Sequence, residues 1–121
     1  MSAHIAGPYT LSIPNAGTDS PALRTILSAG QLKVIFGTCT VFIVTCLAAA
    51  LTAGVTVSVL PVEGGSTWTT LQNPSNSDVT IGALKSVPFP YSGFRDLRIH
   101  SSSAEAAQRD FNLTFQLATT Q

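Results

Sequence analysis

Residues 34–62 read VIFGTCTVFIVTCLAAALTAGVTVSVLPV, a run without a single charged side chain. An uncharged run longer than about 18 residues is formally a membrane-spanning candidate. Its internal pattern argues otherwise. Val55-Thr56-Val57-Ser58-Val59 alternates apolar with polar, the period of a strand with one wet face, and Pro61 follows after Leu60. The run is rich in β-branched residues and is punctuated by Gly37 and Gly54, which suits neither a soluble helix nor a Leu-rich span. Its flanks give no topology signal, with Arg24 and Lys33 before it and Glu63 after it. The expected structure is therefore strands at 32–36, 39–46 and 54–60, with 47–53 as a connection or short helical turn. The alternative is a small single-span membrane protein anchored by residues 34–60.

Working outward, the carboxy-terminal third carries the clearest strand pattern. In residues 94–100, Leu97 and Ile99 share one face, and Asp96, Arg98 and His100 the other. In residues 110–117, Phe111, Leu113, Phe115 and Leu117 alternate with Asn112, Thr114 and Gln116. A slip of one residue would put four large apolar groups into water at about 1.5 to 3 kcal/mol each, so the register is firmly set. Residues 101–109, SSSAEAAQR, suit a helical turn after a serine cap or a wide loop. Residues 61–66, with Gly64-Gly65, read as a hairpin turn before a strand at 67–71, and 72–77 as a loop. Short strands are expected at 79–81 and 84–87. Residues 88–93, PFPYSG, are expected to connect, because alternate prolines cannot feed a central ladder.

Before the run, Asp19-Ser20-Pro21 suits a helix start with two turns over 22–29 and Gly30 as the stop, or else an irregular loop. Residues 1–17, with Pro8, Pro14 and a short strand-like piece at 9–13, are expected to form an extended arm. These elements imply an all-β fold class: one antiparallel β-sandwich or jelly-roll-like body over 18–121, with an extended N-terminal arm over 1–17.

Composition narrows the function. The 121 residues suffice for one core, and six basic against six acidic side chains give no field that points to nucleic acid or an anionic membrane. Charged residues are only 10% of the chain and apolar ones 45%, where a soluble domain is about a quarter charged. Hydroxyl and methyl groups lose less on burial than ionised ones, so this surface is cheap to desolvate and suits a chain packed against other protein. Cys39 and Cys46, seven positions apart, would be separated by roughly 23 Å on a strand or about 10 Å on a helix. Neither distance permits a bridge within a regular segment, so both are expected as free thiols. The start MSAHIAGPYTLSIPNAG has no basic or apolar region of a signal peptide, and the Asn112-Leu113-Thr114 sequon falls within an expected strand.

Reactive motifs are absent from the sequence. His4 and His100 have no neighbouring cysteine or paired carboxylate at ligand spacing, and no nucleophile elbow, phosphate loop or zinc-protease helix is present. Neither an enzyme, nor a cofactor, nor a metal site is expected. Asp96 and Asp110 could in principle form a glycosidase pair, but arginines at 95, 98 and 109 make salt bridges the plainer reading. Trp68, Phe89 and Tyr91 could build a platform for a carbohydrate or another ligand. Core and edge packing in an all-β domain is the plainer role for them.

The successions Thr18-Asp19-Ser20-Pro21-Ala22-Leu23, Leu51 through Pro61 (LTAGVTVSVLP), Trp68-Thr69-Thr70-Leu71-Gln72, Asp78-Val79-Thr80-Ile81 and Phe94 through Arg109 (FRDLRIHSSSAEAAQR) together resemble small β-rich virion proteins of tailed bacteriophages, similar to head decoration or cement proteins. The resemblance covers roughly residues 18–117. It implies a non-enzymatic structural protein in the virion, assembled in the host cytoplasm and bound to the major capsid protein or another virion protein. Self-association as a trimer or dimer is expected, with no nucleic-acid partner and no membrane. The candidate interaction surface is Tyr9, Ile13, Trp68, Phe89 and Tyr91.

Overall fold

The computed structural model describes residues 2–73 and 75–119. Seven strands form two antiparallel sheets: β1 (Ser2–Ile13), β2 (Cys39–Cys46), β3 (Val55–Leu60), β4 (Thr69–Thr70), β5 (Ser86–Pro90), β6 (Asp96–Ser101) and β7 (Arg109–Thr119). The larger sheet has the order β1-β7-β2-β5 and the smaller β4-β3-β6. One hydrophobic cluster lies between them, drawing Phe42, Val44, Phe111, Leu113 and Phe115 from the larger sheet and Val55, Val57, Leu97 and Ile99 from the smaller. The all-β expectation holds, and β2, β3, β6 and β7 fall within a residue or two of the expected strands. The alternation in β7 is realised in full, with Phe111, Leu113, Phe115 and Leu117 buried.

The uncharged run is not one helix. It divides into the end of helix α1 (Ala29–Thr38), β2, a connection over 47–54, and β3. No helix of the described residues is long and apolar enough to cross a membrane. The expected strand at 32–36 is a correction, since those residues lie inside α1. Ser28 and Gln31 form a reciprocal capping box, which satisfies two donors that a helix start leaves open. Leu32, Ile35 and Phe36 are the buried residues of the helix, at the i, i+3, i+4 spacing of one helical face.

The helix expected over 22–29 is a second correction. Only a 3-10 turn at Leu23–Thr25 forms there, because the proposed caps serve β6 instead. Ser20 donates its N–H to Ile99 O and accepts from Ile99 N through Oγ, both at 2.9 Å, while the Asp19 carboxylate turns to His100. Residues 79–81 form no strand, contributing one bond from Ile81 N to Val55 O.

The prolines expected to exclude a strand lie within β5. Cys46 N donates to Lys85 O and Tyr91 N to Thr40 O, so alternate pairs between those ends carry the ladder. Phe89 is in phase with them opposite Phe42, while Pro88 and Pro90 lie opposite Ile43 and Val41 in the non-bonded positions. Their ring nitrogens therefore face the open edge and cost the ladder nothing, which is the place where a strand admits proline.

Within the expected arm, β1 runs antiparallel along β7 with its register broken between Ala6 and Tyr9. The break is at Gly7, with φ 105°, where an added Cβ would lie 2.6 Å from Leu113 O. Only glycine fits both the backbone and the space. Beyond it, Leu11 and Ile13 enter the core.

Candidate functional site

The five residues expected to form an interaction surface differ in exposure. Ile13 and Phe89 are buried, and Phe89 stacks on Phe42 at 5.2 Å between ring centroids. Tyr91 stacks on Phe36 at 5.5 Å and meets Phe94 edge-on at 4.8 Å, its hydroxyl donating to Phe94 O. Tyr9 leans on Phe115 at 6.1 Å. Trp68 is partly exposed, with the Arg98 guanidinium 4.4 Å over its ring. Phe89, Tyr9 and Tyr91 pack the core and its margins, and Trp68 pairs with Arg98 instead.

Two polar clusters have structural roles. Glu105, 1% exposed, accepts from Ser101 Oγ (2.7 Å), Thr52 N (2.8 Å), Ala53 N (3.2 Å) and Arg109 Nε (2.8 Å). Burial opposes its ionisation, but the hydrogen bonds outweigh burial and hold its carboxyl at about 2. It ties the 47–54 connection to the loop before β7. On the smaller sheet, Asp19 takes His100 Nδ1 at 2.7 Å and Arg98 Nε at 3.5 Å, covering the outside of β6. Among the described residues no group of three His, Cys, Asp or Glu side chains is placed to hold a metal ion. Cys39 and Cys46 are free thiols at opposite ends of β2, and burial pushes Cys39 up to about 11, which leaves it a poor nucleophile.

The unusual surface is the outer face of the larger sheet. Cross-strand registers place its side chains in transverse rows. Ile5, Gln116, Val41 and Pro90 form one row. Thr114, Ile43 and Pro88 form the next, and Thr10, Asn112, Thr45 and Ser86 the third. The third row is laced by Thr10 Oγ1 to Asn112 Oδ1 and by Thr45 Oγ1 with Ser86 Oγ, each 2.7 Å. Asp110, at the end of the face, is the one charged residue on it, and Ser12 Oγ donates to it at 2.6 Å. Ile5 is 55% exposed. A solvated sheet face ordinarily carries Lys and Glu, and this one carries hydroxyls, amides, β-branched methyls and proline rings. Part of it is legible in sequence as the polar positions of residues 110–117. The strand neighbours that complete it, above all Pro88 and Pro90, are not.

No family model matches the chain, and no curated protein matches it. Among solved structures it is similar to a chain described under "Bacillus endospore appendages form a novel family of disulfide-linked pili", with 15% identity, a TM-score of 0.48, and coverage of 99% of this chain and 93% of that one.

Proposed function

We propose that this chain is a non-enzymatic structural subunit that works packed against other protein through the outer face of its larger sheet. In its finer form, drawn from the resemblance of its sequence, the proposal is a decorating or cementing protein on a bacteriophage capsid. The observation that carries the reading is the four-strand face around Ile43, Thr114 and Gln116, which carries no charged side chain except Asp110 at its end. Burying ionised groups is costly unless each is paired. A face almost without them loses little on meeting a partner and gains from its exposed Ile5, Val41 and prolines.

The size of the face suggests how it works. Three strand spacings by six residues span an area on the order of 300 Å² between outermost Cα positions, a small patch on which to bury the roughly 800 Å² of accessible surface per partner of a stable pairwise interface. One such contact is weak. Repeated at equivalent sites on a symmetric particle it becomes strong through effective concentration, without any new contact. Protein content of purified particles tests the finer form: a fixed stoichiometric copy number is expected, and absence from the particles would refute it.

A further inference from the structure

A cleft of about 620 Å³ opens between α1, the 3-10 turn, the start of β6 and the loop after β3, lined by Leu32, Lys33, Phe36, Leu60, Arg95 and Asp96 among others. Its volume falls in the range of small-molecule sites, and like them it pairs an apolar floor, here Leu32, Phe36 and Leu60, with a few placed polar groups. The polar groups are mostly cationic. Three of the chain's six basic side chains, Arg24, Lys33 and Arg95, line this one cleft. Lys33 and Arg95 make no ion pair among the described residues, whereas Arg24 Nε lies 3.1 Å from Asp96 Oδ2. The first turn of α1, which opens onto the cleft at Ala29, carries no acid, so the helix end adds to the positive potential.

Asp96 fixes the geometry. Its carboxylate is buried at 1% exposure, and Oδ1 accepts from Leu97 N at 2.8 Å and Arg24 N at 3.3 Å. Oδ2 makes no hydrogen bond of good geometry, so its contact with Arg24 is one of charge. The pair anchors Arg24 by its Nε, while the side chain remains half exposed at the cleft. Glu63 at the rim offsets one of the remaining cations. The balance is three positive against two negative groups, with neither Lys33 nor Arg95 held in an ion pair.

From this juxtaposition we infer that the cleft binds a small amphipathic carboxylate, its apolar stem on Leu32, Phe36 and Leu60 and its carboxylate between Lys33 and Arg95. The inference does not depend on the sheet face, which lies on the other side of the larger sheet from the core. Amide chemical shifts of the full chain titrated with octanoate test it, with octylamine and octyl glucoside as cationic and neutral probes of the same stem. Octanoate should produce saturable shifts confined to residues 29–36, 60–64 and 95–96, and the K33Q/R95Q double variant, whose spectrum also reports that it is folded, should bind it roughly tenfold more weakly. An equal response to octylamine or octyl glucoside would overturn the inference. So would shifts spread over the whole surface, no response to octanoate, or binding unchanged in the double variant.

Discussion

At the scale of single residues, the ionisable groups of the interior divide by how well they are satisfied. Glu105 has four donors on its two oxygens, so it is more comfortable ionised than in water despite burial. Asp96 is the reverse: burial pushes its carboxyl up, and the N–H groups of Leu97 and Arg24 together with the Arg24 charge do not fully offset it. Glu105→Gln would set an amide N–H₂ among donors and strip Arg109 of its counter-charge, for a loss of about 3 kcal/mol. Urea unfolding at pH 7 measures that loss. The pH dependence has a defined sign. The folded-state value of Glu105 is depressed from 4.5 to about 2, so its stabilisation is complete above 4.5 and is lost as pH falls through 2. Asp110, lowered by Ser12 and Gln108, acts in the same direction, and Asp96 acts against both. The urea midpoint of the wild-type chain should therefore fall between pH 4.5 and 2, and that of Glu105→Gln should fall less.

At the scale of elements, the strands that can be read from sequence are those whose two faces differ. In β7 and β6 the alternation of Phe111 or Leu97 with polar neighbours is set by the core, and local pattern and fold agree. Helix α1 is hidden because its apolar residues at 34–36 run into β2 without a charged boundary, and Gly37 lies inside the helix rather than marking its end. The signal that betrays it is Ser28-Ala29-Gly30-Gln31, a capping box ahead of an i, i+3, i+4 stripe. Strand β5 escapes a sequence reading for the opposite reason. Proline excludes a central strand but not an edge one, and no local pattern says which β5 is. Of the residues expected on an interaction surface, Ile13 and Phe89 lie in the core, because size alone does not separate a core side chain from an exposed one. Strand β1 has its own vulnerability at Gly7. Gly7→Ala would force a Cβ against Leu113 O at a positive φ, at a cost of about 1 to 3 kcal/mol. Because β1 is an edge strand, the damage should stay local. Amide exchange across Tyr9–Ile13 should quicken while the β2–β7 ladder keeps its protection, and exchange spreading equally into β2 would show that β1 is not a separable unit.

At the scale of the whole molecule, the scarcity of charge has a location. Three of the six cations line the cleft, Arg98 on β6 covers Trp68 and meets Asp19, Arg109 is spent on Glu105, and Lys85 sits just before β5. The outer face of the larger sheet is left nearly neutral. Its two edges differ as well, since β5 presents proline nitrogens and β1 a run with no charged residue from Ser2 to Ile13. A single face of this size gives weak pairwise association and gains strength only by repetition, so the free chain should be monomeric when dilute and associate as concentration rises. Sedimentation velocity over a concentration series, comparing the wild-type chain with Ile43→Lys at the centre of the face, tests this claim most directly. The weight-average sedimentation coefficient should rise with concentration for the wild type and stay flat and monomeric for the variant, with the same far-ultraviolet spectrum. A wild-type chain that stays monomeric throughout, or a variant that associates equally well, would contradict it.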